Sequence, residues 1–253
     1  MIPGQMRLRF LLSLLLMTPV LLFAASNTAY IHQIPDMTQS EIGGWQYAFG
    51  AQYCAPVAVS NSFYWLADNK VDQRVLARSL ASTRYMHTDK DRGTATAQFL
   101  NGVDAMAVKL FGGYQQLEYQ GWKRHPRKFS TGIKIPEWRW IIEGVADGSA
   151  VWLNVGWYQY DSVNHAYHRV GGHWVTVVGY DDDMLIIHDP APRAGQSFAN
   201  EYVHTVQLRS GMLADQRSGL YQPAEGYLVL GTGMHLKSIA DVAVVDGAVR
   251  FKR

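Results

Sequence analysis

Residues 171–190 read GGHWVTVVGYDDDMLIIHDP, and this stretch decides the fold. Residues 173–180 alternate and are rich in β-branched side chains, the pattern of a half-buried strand. Residues 184–188 are a second short apolar run, and the aspartates at 181–183 supply a turn between them. Two strands so closely joined predict an antiparallel hairpin. With the turn at 181–183, Asp189 falls opposite Val175. Val175 shares a face with His173 because strand side chains alternate. The hairpin therefore brings a histidine and a carboxylate together.

Working outward, residues 150–157 (AVWLNVGW) read as a strand, as do 202–208 and 226–230. Residues 241–251 (DVAVVDGAVRF) predict a hairpin turning at Asp246-Gly247, since an Asp-Gly pair suits positive φ angles. Upstream the period changes. Residues 54–66 (CAPVAVSNSFYWL) fit a helix buried around much of its circumference, with Pro56 tolerated near its start. Residues 71–79 and 94–110 are helical in pattern, the latter with Thr94 or Thr96 as cap. Residues 136–146 suit a short helix between Pro136 and Gly148. Residues 112–135 read as loop with short strands. Helices come first and an antiparallel sheet follows, so the fold class is α+β.

Residues 1–25 carry Arg7 and Arg9, an apolar run from Phe10 to Phe23, and small residues at Ala24 and Ala25. This is the pattern of a secretory signal peptide. The expected organisation is a signal peptide over 1–25, one domain over 26–230 and a C-terminal β extension over 231–253. The mature chain is expected to act in the periplasm or as a secreted protein, without stable membrane insertion. The chain has 23 basic and 21 acidic residues, and the signal peptide takes two of the basic ones. That near-neutral balance gives no reason to expect nucleic acid as a partner. The single cysteine cannot form an internal disulfide, which exported proteins usually build in pairs.

That cysteine, Cys54, stands at a predicted helix start. Unpaired N–H groups and the helix dipole there favour an anion, and the thiolate is the attacking form of a thiol. His173 opens its strand after Gly171-Gly172, and an imidazole can carry the thiol proton to a leaving amine. Asp189 can hold the ring in one tautomer. Each residue alone also has an ordinary structural reading: a buried apolar thiol, a strand-opening histidine, a turn aspartate before proline. Their order in the chain is that of a nucleophile, a base and an orienting acid.

At this point the sequence resembles the double-glycine, bacteriocin-processing peptidase-like cysteine peptidases of the papain-like clan. The resemblance rests on CAPVAVSN with the following WL, on GGHWVTVVGYDDD and on LIIHDP. It spans about residues 45–190, with little to match between the two ends. It implies a papain-like cysteine proteinase fold, with N-terminal helices and the nucleophile at a helix start packed on an antiparallel sheet. It implies Cys54 as nucleophile, His173 as base and acid, and Asp189 as the orienting group, with no cofactor and no metal. It also implies a glutamine a few residues before the cysteine, at the oxyanion hole. The position six residues upstream is Ala48, so Gln46 is the first candidate and Gln52 the alternative. Ala55 stands where the family more often has glycine. No transporter or nucleotide-binding segment accompanies the motifs, so the form implied is free-standing and exported.

The expected partner is a peptide or protein substrate outside the cytoplasm. Trp157, Tyr158, Gly172 and Trp174 are the candidate substrate-contacting residues, although the aromatics equally suit packing. A cell-wall amidase or transamidase of the same clan is the alternative enzyme, since an amine can resolve a thioester as water does. An inactive peptide-binding protein that keeps the fold is the alternative outside catalysis. A zinc site at His165, His168 and His173 lacks helical ligand spacing, and Gly171-Gly172 argues for a loop there. Asp181 to Asp183 lack the order of a calcium loop.

Overall fold

The computed structural model describes residues 27–42, 52–191 and 202–253. The signal-peptide segment and Gln46 lie outside the described residues. Four α-helices and ten strands are described. They are β1 (Thr28–Tyr30), α1 (Cys54–Leu66), α2 (Gln73–Ala81), α3 (Thr96–Phe111), β2 (Gln116–Gly121), α4 (Trp138–Ala146), β3 (Ala150–Asp161) and β4 (Ala166–Asp181), then β5 (Met184–His188), β6 (Tyr202–Gln207), β7 (Met212–Asp215), β8 (Leu220–Pro223), β9 (Leu228–Leu230) and β10 (Val242–Lys252). The class is α+β.

The strands do not form an open sheet. β3 pairs with β4, β4 with β5, β5 with β6, β6 with β9, β9 with β10, and β10 returns to β3. Every one of these pairings is antiparallel, so they close into a ring of six strands. A closed ring leaves no sheet edge exposed. The core within it gathers Leu153, Val155, Val175, Val177, Leu185, Ile187, Leu230 and Val245, with Ile141 and Val145 of α4 packed on them. β7 adds to β4 in parallel, a departure from the all-antiparallel expectation.

The hairpin expected at Asp246-Gly247 is instead continuous strand. β10 runs through both residues with only a register shift against β3 between Val245 and Gly247. The glycine is there for room, not for a turn: a Cβ on Gly247 would overlap the Tyr119 hydroxyl. The last segment of the chain thus supplies the strand that closes the ring.

The long hairpin of β3 and β4 also extends past the expected strands. Asp161 caps its turn by accepting from the N–H groups of Val163 and Asn164 at 2.9 and 3.1 Å. β4 continues through Gly171-Gly172, where a loop was expected, with a bulge opposite Trp157 and Tyr158. The cap of α3 is Ala95 rather than Thr94 or Thr96, and Gln98 Oε1 accepts from the Ala95 N–H at 3.1 Å.

α1 begins and ends where the sequence pattern places it. It is buried from Cys54 through Phe63 because it lies between α2 and the outer face of β3 and β4. The Ala58 carbonyl, one turn in from Cys54, accepts from Trp152 Nε1 of β3 at 3.0 Å and from Thr176 Oγ1 of β4 at 2.9 Å. These buried bonds tie the helix to the ring. Trp174 stacks on Phe99 of α3, with centroids 3.8 Å apart and planes 7° apart, and its Nε1 donates to the Thr94 carbonyl at 3.2 Å. Both helices are thereby indexed to the strand that carries His173.

Candidate functional site

The site forms where the start of α1 meets β4. Cys54 is the first residue of α1, and Val57 makes the first helical bond, its N–H donating to the Tyr53 carbonyl at 3.0 Å. The Cys54 and Ala55 N–H groups precede that bond and have no intrahelical acceptor. The Cys54 side chain is close enough to the ring of His173 to raise its pKa. On the far side of the ring, His173 Nε2 lies 2.5 Å from Asp189 Oδ1. Nδ1 is then the ring nitrogen left to face the sulfur. The Ala191 N–H donates to the same carboxylate oxygen at 2.8 Å, which anchors Asp189 just past the end of β5. Thr176 pairs with His188 in the β4–β5 register, so Asp189 continues opposite Val175, as the hairpin pattern predicts.

Both members of this pair are buried, His173 at 6% exposure and Asp189 at 6%. Burial of itself pulls the His173 pKa down. The Asp189 charge and its hydrogen bond, together with Cys54, outweigh that and push it from 6.5 up to about 9. The imidazolium is therefore the resting form of the ring at neutral pH.

Cys54, His173, Gly172, Trp174 and Gln52 line a single cavity of about 550 Å³. The Gln52 side-chain carbonyl lies beside Gly93 on the cavity wall, 3.4 Å from where a Cβ on that glycine would be. Two aromatics expected to contact substrate are placed otherwise. Trp157 is buried and stacks on the back of His173, with centroids 5.6 Å apart. Tyr158 is fully buried, and its hydroxyl donates to Asp246 Oδ1 at 2.5 Å. Strand alternation cannot tell an aromatic lining a groove from one packed against a closed ring. The three histidines of the 165–173 segment diverge: His165 bonds the Tyr160 hydroxyl, His168 lies 3.7 Å from Asp161, and His173 bonds Asp189.

Sequence reasoning missed three polar residues around this cavity. Asn154 lines it, is 4% exposed, and its side-chain carbonyl is buried with no hydrogen-bond partner among the described residues. Its signal was a lone amide in the apolar run AVWLNVGW. Arg169 and Lys123 also line the cavity, and each is paired with a buried acid, Asp246 and Asp215 respectively. Asp246, in the middle of VAVVDGAV, was read as a turn, and that reading hid it.

Comparison with known proteins places the chain in a family. Residues 28–209 match the model of the Peptidase_C39-like family, well over half of the chain, and the chain belongs to that family. The match covers α1 with Cys54 and β4–β5 with His173 and Asp189. No curated protein sequence matches. Among solved structures, a C39-like peptidase from Bacillus anthracis is similar over 89% of this chain and 98% of its own, at 11% identity and a TM-score of 0.44.

Proposed function

We propose that this member of the peptidase family is a cysteine peptidase acting through Cys54, His173 and Asp189. One observation carries the reading: a single imidazole is bonded to a buried carboxylate and shares a cavity wall with the only thiol of the chain, which is close enough to shift its pKa. In the reaction the Cys54 sulfur bonds to the carbonyl carbon of a peptide. The negative oxygen so formed accepts from the Cys54 N–H, with the Gln52 side chain on the same cavity wall, or Gln46, as the second donor. His173 then gives its proton to the leaving amine, the C–N bond breaks and a thioester remains. Water, losing its proton to His173, adds to the thioester and expels the sulfur. Asp189 holds the ring in place and balances its charge throughout.

The helix that carries the nucleophile, packed on antiparallel strands that carry the base, supports a papain-like reading of the fold. The signal-peptide pattern of residues 1–25 supports a substrate outside the cytoplasm.

The test is the rate of Cys54 alkylation by iodoacetamide across pH, in the wild type and in His173→Ala. Rapid reaction of the wild type at pH 5–6, lost in His173→Ala, is the expected result. Reaction of both proteins only above about pH 8, the range of an ordinary thiol, defeats the reading. Cys54→Ala is expected to abolish cleavage of a peptide library while leaving the unfolding midpoint close to wild type.

A further inference from the structure

Beside the thiol the cavity carries a guanidinium that the proposed reaction does not use. Arg169 donates from Nε to Asp246 Oδ2 at 2.8 Å. The other oxygen of Asp246 accepts from Trp122 Nε1 at 2.9 Å and from the Tyr158 hydroxyl at 2.5 Å. Asp246 is fully buried, so the arginine is gripped along its inner edge by a carboxylate that is itself saturated with donors. Its terminal Nη1 and Nη2 donate to nothing among the described residues. They lie across Gly172, where any Cβ would overlap Nη2, and Gly172 is the residue before His173. Glycine at 172 thus makes room for the arginine next to the base.

Lys237 approaches the same strand from the segment between β9 and β10. Its Nζ lies 3.4 Å from where a Cβ on Gly171 would be, and it has no ion pair among the described residues. The acids on the opposite wall are already engaged: Asp89 accepts from the Asp91 and Arg92 N–H groups, and Asp91 pairs with Lys90. Asn154, on the wall of the same cavity, offers a buried carbonyl that a peptide N–H would satisfy.

We propose that Arg169 forms a carboxylate-binding subsite, with the charge of Lys237 on the other face of the same strand adding attraction at longer range, and that the substrate is a peptide with an acidic group close to the scissile bond. A guanidinium held at Nε presents two parallel N–H donors, which match the two oxygens of a carboxylate. Its buried counter-ion fixes it before substrate arrives, so little ordering accompanies binding. The carboxylate is a chain terminus or an Asp or Glu side chain. The inference rests on the cysteine peptidase reading, whose substrate class it names.

Three alkylating peptides test it. They are N-iodoacetyl-Gly-Gly with a free terminal carboxylate, its terminal amide, and N-iodoacetyl-Gly-Glu-amide, whose only carboxylate is a side chain. Each protein is described by the ratio of its acid-reagent rate to its amide-reagent rate, so a general change in thiol reactivity cancels. In the wild type at low salt at least one acid reagent is expected to react about tenfold faster than the amide, an advantage that shrinks with added NaCl. The faster of the two shows whether the site reads a terminus or a side chain. Arg169→Gln is expected to bring the ratio to about one, and Lys237→Gln, in an exposed segment where folding is not at stake, to lower it about twofold. A wild-type ratio of one, or a ratio that neither substitution changes, overturns the subsite. If Cys54 is inert to all three reagents, the peptidase reading fails instead. Calorimetric titration of Cys54→Ala with acetyl-Gly-Glu then decides the subsite: binding that is lost when Arg169→Gln is added upholds it, and no binding overturns it.

Discussion

Two buried carboxylates, Asp189 and Asp246, hold two cationic side chains at neighbouring places on β4, and they are built differently. Asp189 accepts from His173 and from one backbone N–H at the mouth of a short hairpin. Asp246 accepts from an arginine, a tryptophan and a tyrosine in the middle of the ring-closing strand. The first is paired with a group that can lose its charge, at a pH of about 9. The second is paired with a guanidinium whose pKa is raised further by Asp246 and which stays charged, despite its burial. In the proposed reaction Asp189 steers a proton through a titratable partner, whereas Asp246 is filled with donors that keep their protons at neutral pH.

Substitutions can break this contrast. Asp246→Ala strands the buried Arg169 and removes the acceptor of two further donors, so the largest loss of stability is expected there, about 3–5 kcal/mol in urea unfolding. Asp189→Asn keeps the volume and an acceptor oxygen but removes the negative charge that raises the His173 pKa. Its expected effect is on turnover, a fall in kcat of about a hundredfold or more with a much smaller change in KM and in unfolding midpoint. Equal damage to stability from both would erase the distinction between them. Thr176→Val removes one of the bonds that tie α1 to the ring and is expected to cost about 1 kcal/mol.

A finer contrast comes from pH. The folded pKa of His173, about 9, lies above its ordinary value of 6.5. Its protonation therefore stabilises the fold fully below about pH 6.5, and this contribution fades as pH rises through about 9. The slope of unfolding free energy across that window should flatten in His173→Ala. Arg169 contributes no slope there.

The same contrast separates what was legible in the sequence from what was not. Asp189 is found by local rules: a short hairpin, a two-residue period and a turn rich in aspartate place it within reach of His173. The bounds of α1 follow from helical spacing and a proline near its start, and they put Cys54 at the first turn. Asp246 depends on residues far along the chain, Trp122, Tyr158 and Arg169, and no local rule brings them together. The local rule that does apply, an Asp-Gly pair as a turn, points the wrong way. Gly247 is required by the ring of Tyr119 and not by backbone conformation. Trp157 and Tyr158 were misplaced for a related reason. Whether their strand faces a groove or a packed core is decided by ring closure, which depends on β10 some way downstream.

Ring closure by β10 also has a consequence in time. Among the described residues β3 and β9 are joined only through residues 242–252, so a chain still emerging from synthesis holds an incomplete barrel. Until that strand is inserted, β3 lacks one neighbour and β4 lacks a firm seat. The sulfur and the imidazole then have no fixed separation. The strand that completes the ring thus helps to fix the spacing of the sulfur and the imidazole, although it carries neither.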